Sequence, residues 1–510
     1  MFKRAGSIGA TIVAAAILTG GAAVASDAHP AVPATPERST SATSAVDCTL
    51  PEGSNPNLVG RNLSGCDLAG ADLSGANLEN TDLSYANLME ADLQRAKVRD
   101  TNFTDTNLAN AKMAHIVGPH ASFQGSNLTG ADLSASHLSA PNTTNADLTG
   151  ADFSNATLDA LATTNMNLTN ANLRGIKLVG VNLSEANLTG VRSGDVMTLA
   201  SVTLPTDWKL INGYLIGAGA KIEGADLQGQ DLGGVDLTGA DLTNAKLGGV
   251  RSGAIQGQPK SMPVDYTVVN GYVVGPEVKL TDANLHGADL RASSLRMVDL
   301  RGADLSDSNL TGVSLLGSNL RGANINGTTL AGADASHIST GDLTGTPDTL
   351  PEDLRLVNGY LVGPDVRLDH ADLAGVDLQG AKLDGATLSY TNLEGANLAN
   401  ATMTRVGIQD ANFKNANMTG VDLSHSGGSN ANFAHTLLRG ANLTDTFAIY
   451  SDFRNAELSG VTIEGANLAG AHLEGAKSGN PELIIGNVAE LPAGWIIADG
   501  LLVHQSVPTN

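Results

Sequence analysis

Aromatic side chains are scarce in this chain: they make up 3% of its 510 residues, while glycine accounts for 59 of them. A wide core needs large side chains, so this composition is typical of a thin, repetitive rod. Basic residues are also few, with 29 Lys and Arg against 52 Asp and Glu, a formal net charge of −23. Such a charge repels nucleic acid and anionic lipid, so we expect no nucleic-acid partner.

The sequence also lacks the motifs of catalytic and cofactor-binding proteins. It has no His-x-x-x-His or paired-Cys spacing for a metal, no Gly-x-Ser-x-Gly, no phosphate-binding glycine loop and no dinucleotide fingerprint. Acidic residues recur once per repeat rather than as the isolated pair that general acid–base catalysis needs. We therefore predict no catalytic residue, no metal site and no cofactor, and expect that the protein is not an enzyme.

What the chain does contain is a five-residue step, Ala-(Asp/Asn)-Leu-x-x, as in Ala71-Asp72-Leu73-Ser74-Gly75. Its central position recurs without a slip in four runs: Leu58 to Leu188, Ile222 to Leu247, Leu280 to Leu330 and Leu368 to Leu473. Of these 66 positions, 62 are Leu, Ile, Val, Met, Phe or Ala, and the residue two before is usually small, most often Ala. Both positions are predicted to face inward, where each buried Leu contributes roughly 1.5–3 kcal/mol. A fixed short period indicates units that bury their faces only against their neighbours.

This motif resembles that of the pentapeptide-repeat family, and the match covers most of the chain. The resemblance implies an all-β fold, a right-handed quadrilateral (pentapeptide-repeat) β-helix in which residues twenty apart stack. The sequence supports this spacing, because Phe413, Phe433 and Phe453 are twenty residues apart, as are Phe103 and Phe123. We expect these rings to stack in interior columns, where each pair adds roughly 0.5–1.5 kcal/mol.

Outward positions line up at the same spacing. One wall is expected to carry Asp72, Asp92, Asp132 and Asp152, with Lys112 among them. Another wall is expected to carry Asn87, Asn107 and Asn127. Amide ladders of this kind suit stacked strands in register.

Four interruptions of the repeat share a pattern of their own. The first has Pro205, Trp208 and the turn pair Asn212-Gly213, between apolar runs that place Leu210 opposite Leu215. The other three copies are Pro263, Tyr266 and Asn270-Gly271; Pro351, Leu354 and Asn358-Gly359; and Pro492, Trp495 and Asp499-Gly500. We predict interspersed β-hairpin modules, with Trp208 and Trp495 largely buried. They either close and shield the coil stack or present a ligand-binding hairpin.

These features divide the chain into ten segments. The predicted segments are a signal peptide (1–25), a Pro/Ala/Ser/Thr-rich tether and N-terminal cap (26–57), repeats (58–190), a hairpin module (191–221), repeats (222–249), a hairpin module (250–279), repeats (280–333), a hairpin module (334–367), repeats (368–475) and a C-terminal hairpin or cap (476–510).

The N-terminus has the features of a secretory signal. Lys3 and Arg4 precede an apolar, Ala-rich run that ends in Ala23-Val24-Ala25, which predicts cleavage before Ser26. The alternative is an uncleaved membrane anchor. After cleavage we expect no membrane span, so the protein is expected to be secreted or held at the cell surface.

The chain has two cysteines, Cys48 and Cys66. Cys66 occupies the small inward position of its repeat. In a secreted chain, a disulfide clamping the N-terminal cap onto the first coil is one interpretation, and a buried free thiol in an Ala slot is the other.

Three functions follow from these observations. The first is a secreted, non-enzymatic rod that serves as a structural scaffold or binds a protein partner not identified by the sequence. The second is an acidic DNA mimic that binds DNA gyrase or topoisomerase, as the family resemblance implies, although the secretion signal and the lack of an apolar helical tail argue against it. The third, a polysaccharide-active β-helix enzyme, needs an outward cluster of acids with Arg or Lys, and none stands out.

Overall fold

The computed structural model describes residues 46–53, 55–161, 163–291, 293–479 and 483–505. All of these except Val46 belong to one compact unit, Asp47–Asn510. The predicted signal peptide and the tether up to residue 45 lie outside the described residues. Within the described residues there is no helix long and apolar enough to cross a membrane.

Each five-residue step is a turn followed by a short extended segment. In the step at Leu73, the Ala76 N–H donates to the Leu73 carbonyl at 3.0 Å and closes a four-residue turn. Gly75, the third residue of that turn, has a φ of 63°. A turn with positive φ at its third residue favours Gly, Asn or Asp, which explains the polar or glycine residue at this position of most repeats.

Successive coils pair in parallel at a spacing of twenty residues. The Asp column of the sequence appears as Asp72 paired with Asp92, Asp92 with Lys112 and Lys112 with Asp132. Along this direction the Leu73 N–H donates to the Asp92 carbonyl at 2.7 Å. The repeats therefore form a β-helix in which each turn takes twenty residues, as the sequence spacing predicted.

Most of this pairing occurs at single residues, and the described part of the chain also contains thirteen short strands. They are β1 (Val117–Pro119), β2 (His137–Ser139), β3 (Thr157–Asp159), β4 (Lys177–Val179), β5 (Met197–Thr198), β6 (Lys209–Ile211), β7 (Tyr214–Ile216), β8 (Thr267–Val269), β9 (Tyr272–Val274), β10 (Arg355–Val357), β11 (Tyr360–Val362), β12 (Trp495–Ala498) and β13 (Leu501–His504). Strands β1 to β5 form one parallel sheet along a wall of the coil, and the other eight form four antiparallel pairs.

The core is a column of Leu side chains with Ala beside it, and it contains the predicted phenylalanine stacks. Phe413 and Phe433 have ring centroids 5.0 Å apart, and Phe433 and Phe453 are 4.8 Å apart. These three rings are at most 1% exposed. Phe103 and Phe123 stack in the same way at 5.0 Å. The prediction from the twenty-residue spacing is confirmed.

The four antiparallel pairs are tight hairpins. Leu210 pairs with Leu215 across the first turn, as its Asn-Gly pair predicted. Both turn residues have positive φ, 47° at Asn212 and 78° at Gly213. This conformation matches the twist of the flanking strands, and Asn and Gly adopt it at little cost.

The coil stack continues across the first three hairpins. Positions that pair in parallel around them are 29, 28 and 28 residues apart rather than twenty: Arg192 with Lys221, Arg251 with Lys279, and Ser339 with Arg367. Each internal hairpin is therefore an insertion in one turn of the β-helix, after which the next turn resumes.

Candidate functional site

The hairpins are the places where the chain leaves the repeat, and each is attached to the preceding coil in the same way. In the first copy, the Val196 N–H donates to the carbonyl of the turn residue Gly213 at 3.0 Å. The equivalent bonds run from Ile255 to Gly271 at 3.0 Å, from Leu343 to Gly359 at 3.1 Å and from Ile484 to Gly500 at 3.0 Å. This shared backbone hydrogen bond fixes the position of each hairpin relative to the coil that precedes it.

A hydroxyl group on the coil makes the second shared contact. The Ser193 Oγ accepts a hydrogen bond from the Leu215 N–H at 2.9 Å. The same bond joins Ser252 to Val273 at 2.8 Å, Thr340 to Leu361 at 3.0 Å and Ser478 to Leu502 at 3.0 Å. Sequence reasoning missed this residue, although a Ser-Gly or Thr-Gly pair precedes all four hairpins and aligning the copies would have revealed it.

Glycines allow the large residue of each internal hairpin to lie flat. A Cβ on Gly217 would fall 2.2 Å from Trp208 Cδ2, and one on Gly275 would fall 2.2 Å from Tyr266 Cδ1. Trp208 and Trp495 pack against the core cluster, but both are half-buried rather than largely buried as the sequence predicted. Part of each Trp side chain therefore stays accessible to solvent.

A cleft of about 890 Å³ lies beside the first hairpin. Its polar lining comes from the turn residue Asn212, from Asp195 and from the coil residues Asn155, Asn172, Arg174 and Lys177. A smaller hollow of about 250 Å³ shares Asn172 and Arg174 and adds Arg192 and Glu223. We call these two hollows together the first-hairpin cleft.

The first-hairpin cleft carries more basic than acidic side chains in a strongly acidic protein. Within the described residues, Arg174, Lys177 and Arg192 form no ion pair. Arg192 also pairs in parallel with Lys221, which places like charges on neighbouring coils. The cleft therefore presents unneutralised positive charge.

The absence of a carboxylate partner has a local cause. Elsewhere an Arg placed two residues after an Asp folds back onto it, with N–O distances of 2.6 Å for Arg291 and Asp289 and 2.7 Å for Arg301 and Asp299. Arg174 follows Asn172 at the same spacing, and an amide offers no negative charge. The substitution of Asn for Asp at this turn leaves the guanidinium free to bind a ligand.

Outward Asn side chains of the repeats bond to one another along a wall of the coil. The Asn107 amide donates to Asn87 Oδ1 at 3.0 Å, and the Asn127 amide donates to Asn107 Oδ1 at 3.2 Å. The column begins at Asp67, whose Oδ1 accepts from Asn87 at 2.9 Å. The predicted amide ladder is present. At its first position Asp67 only accepts a hydrogen bond from the ladder, so a carboxylate, which has no donor, fits there.

The Asp side chains also accept bonds from the turn that follows them. Asp304 Oδ1 accepts from the Ser306 hydroxyl at 2.6 Å, from the Ser306 N–H at 3.0 Å and from the Asn324 amide at 2.9 Å. These bonds, the Ser306 hydroxyl first, hold the pKa of Asp304 below its ordinary value. At Asp289 the Arg291 side chain lowers the pKa to about 2. Both carboxylates stay ionised and serve as turn acceptors rather than as proton donors.

The two cysteines form a disulfide in the structure, with Cα atoms 5.6 Å apart. It joins the segment before the first repeat to the first coil. The Arg61 guanidinium holds the same segment by donating to the carbonyls of Asp47 at 2.9 Å and Thr49 at 2.8 Å. Among the residues that the structure describes, no group of three or more His, Cys, Asp or Glu is placed to hold a metal ion.

Comparison with known proteins identifies the repeat. The family model described as pentapeptide repeats matches residues 54–159, 165–192, 219–251, 277–334, 365–405 and 408–475, in overlapping segments. The chain belongs to the pentapeptide-repeat family. No curated protein sequence matches it.

Solved structures of two pentapeptide-repeat proteins match parts of the chain. HetL, a pentapeptide repeat protein involved in heterocyst differentiation regulation from the cyanobacterium Nostoc, is 23% identical; the match covers 56% of this chain and 91% of HetL, with a TM-score of 0.17. QnrB1, a plasmid-mediated fluoroquinolone resistance protein, is 18% identical over 38% of this chain and 83% of that one, with a TM-score of 0.21. At these identities and TM-scores, neither protein's role transfers to this chain.

Proposed function

We propose that this pentapeptide-repeat protein is a secreted, non-enzymatic rod that binds a protein partner through the first-hairpin cleft. The observation that carries the proposal is the clustering of three cations without an ion pair among the described residues, Arg174, Lys177 and Arg192, around the two hollows of the first-hairpin cleft. Outward Asn and Asp side chains of the repeats, such as Asn107 and Asp304, are instead engaged in ladders and turns. The partner segment is acidic, because three cations face two carboxylates, Asp195 and Glu223.

The coil that carries this cleft is the right-handed quadrilateral β-helix of the family, and the hairpins are modules inserted in it. The twenty-residue turn, divided into five-residue steps, supports four sides. A crystal structure measures the handedness directly. A left-handed coil or a turn with three sides contradicts this part of the proposal.

A binding assay with poly-glutamate tests the cleft. We expect fluorescence anisotropy to detect binding of labelled poly-glutamate that weakens as salt rises, since salt screens charge pairs. The double variant Arg174→Glu/Arg192→Glu is expected to lower the affinity at least tenfold. The control Arg99→Glu/Arg321→Glu makes the same charge change at exposed positions outside the cleft. Equal losses of affinity in both double variants would attribute binding to net charge and contradict the cleft as the binding site.

Secretion and the DNA-mimic alternative need separate measurements. N-terminal sequencing of protein from the extracellular fraction is expected to begin at Ser26 or within a few residues of it. Full-length protein confined to the cytosol would contradict secretion. In that case inhibition of purified DNA gyrase in a supercoiling assay would favour the DNA mimic over the scaffold.

A further inference from the structure

Strand β5 ends the parallel sheet at the level where the first hairpin is inserted. Its Met197 pairs with Lys177 of β4, and the Met197 N–H donates to the Ile176 carbonyl at 2.9 Å. Within the described residues β5 pairs with no strand on its other side. The sheet therefore has an edge here, and an edge strand is a template for the addition of another strand.

Two backbone groups of this edge lack the partner that the repeat supplies elsewhere. In a regular coil, one residue of the next turn bonds to two residues below it: the Asp92 N–H donates to the Ala71 carbonyl, and the Asp92 carbonyl accepts from the Leu73 N–H. The corresponding groups of β5 are the Val196 carbonyl and the Thr198 N–H. Neither forms a hydrogen bond within the part of the chain that the structure describes.

The coil that follows the first hairpin is also open at this wall. In the second and third hairpins the equivalent backbone N–H is capped by a hairpin tyrosine: Asn284 donates to the Tyr272 hydroxyl at 3.1 Å, and Asp372 to the Tyr360 hydroxyl at 3.5 Å. Among the described residues the Asp226 N–H has no such acceptor. Only the first hairpin thus leaves unpaired backbone groups both below and above it on this wall.

The extended conformation of β5 distinguishes the first hairpin from the other three. The position of Thr198 is a glycine in each of them, and Gly257, Gly345 and Gly486 have φ angles of 65°, 80° and 90°. A left-handed residue turns the chain, so the described part of those copies has no strand at this point. Thr198 instead continues β5 in an extended conformation.

We propose that an extended segment of the partner adds to β5 as a sixth strand of the parallel sheet. The segment accepts from the Thr198 N–H and donates to the Val196 carbonyl, as in β-strand addition generally. Met197 and Leu199 are 45% and 69% exposed. Because alternate residues of a strand share a face, these two side chains together favour apolar side chains on the added strand.

The charge beside β5 favours a segment with acidic ends. Val196 and Met197 line the first-hairpin cleft together with Arg174 and Lys177. Carboxylates that flank the apolar middle of the segment meet these cations. The inference rests on the function proposed above, and it specifies how the backbone of the partner is bound.

A labelled peptide of sequence Glu-Glu-Val-Thr-Val-Glu-Glu is the probe for strand addition. We expect fluorescence anisotropy to detect its binding to the full chain. N-methylation of its Val and Thr nitrogens is expected to lower the affinity roughly tenfold, the loss that one or two hydrogen bonds account for. Absence of binding, or equal affinity for the two peptides, overturns the proposal.

The matching change in the protein is Thr198→Pro, which removes the N–H of the edge. The substitution breaks no hydrogen bond within the described residues, and the extended Met197 suits a proline that follows it. We expect a loss of affinity similar to that of the methylated peptide, whereas Thr198→Ala, which keeps the N–H, should bind as the wild type does. Thermal melting checks that both variants are folded, and unchanged affinity in a folded Thr198→Pro chain contradicts the proposal.

Amide hydrogen exchange locates the contact. The Thr198 amide should exchange quickly in the free protein and slowly in the saturated complex, whereas the Met197 amide, already bonded to Ile176, should be slow in both. An unchanged Thr198 rate at saturation means that the peptide does not bind as a strand.

The double variant Arg174→Glu/Arg192→Glu separates this inference from the proposed function. If it loses peptide binding while Thr198 stays unprotected in the wild-type complex, the cleft is supported and strand addition is wrong. If Thr198 is protected and the charge variant binds as well as the wild type, strand addition is supported and the charged cleft is wrong.

Discussion

The coils and the hairpins of this protein are stabilised by different kinds of contact. A coil residue depends on partners twenty positions away along the chain, as when Asp72 pairs with Asp92, and the same contact recurs at each level. A hairpin depends on particular close approaches, such as Trp208 over Gly217. The coils therefore spread their stability over many equivalent contacts, while each hairpin concentrates it in a few.

The largest expected effect is in the coil interior. Leu393 is 0% exposed in the core column, so Leu393→Asp buries a charge without a partner and is expected to cost more than about 4 kcal/mol. Urea unfolding measures this change. Leu199→Asp is the control, because Leu199 is 69% exposed and should tolerate the same substitution. Similar losses at both sites would mean that the Leu column does not carry the stability of the coil.

A smaller effect is expected in a hairpin. Gly217→Ala places a methyl group 2.2 Å from Trp208 Cδ2, so the ring must move, at a cost of about 1–3 kcal/mol. Tryptophan fluorescence should report the displaced ring, and thermal melting should report the lost stability. Gly407→Ala is the control, since a Cβ at Gly407 has nothing within 4 Å. An unchanged fluorescence spectrum in Gly217→Ala would show that Trp208 does not rest on this glycine.

The smallest expected effect is a change in how the melting temperature depends on pH, and it compares an Asp of the coil with an Asp of the first hairpin. Hydrogen bonds from Ser306 and Asn324 lower the pKa of Asp304 in the folded protein, so its ionised form is stabilised by folding. That stability is present above the unfolded pKa, near 3.8, and is lost as pH falls through the lower folded value. Asp304→Asn keeps the turn acceptor but cannot titrate, so melting temperature should fall less below pH 4 than in the wild type.

The control for the pH experiment lies in the first hairpin. Asp207 is exposed and its side chain accepts no hydrogen bond within the described residues. Asp207→Asn removes the same charge without removing a carboxylate that accepts these hydrogen bonds, so it is the control for net charge. An equal flattening of the pH profile by both variants would attribute acid sensitivity to net charge rather than to the turns of the coil.

The coil could be predicted because its sequence repeats at a fixed period. A five-residue step and the twenty-residue spacing of Phe413, Phe433 and Phe453 specify which residues face inward and which rings stack. The Asn-Gly pair also predicted the pairing of Leu210 with Leu215, since few turn types fit two residues.

Other features depend on contacts between elements and could not be read from one copy of the pattern. The Ser193 hydroxyl bonded to the Leu215 N–H is an example, because a serine in an outward-looking sequence gives no sign of its distant partner. The first-hairpin cleft is another. Its charge arises where Arg174, Arg192 and the hairpin meet, and the sequence indicates only that Asn172, rather than an Asp, stands two residues before Arg174.

The twenty-residue turn has a consequence for how such a chain can change in length. Adding or removing one complete turn leaves each column of side chains aligned, because every residue still meets a residue from the same wall and the same repeat position above and below it. A deletion of five residues would instead rotate all later walls by one step and bring the wrong side chains into register. Duplication of whole turns is thus a conservative route to a longer protein, and the 28- and 29-residue spacings around the internal hairpins show that a turn can gain residues at one wall without disturbing that alignment.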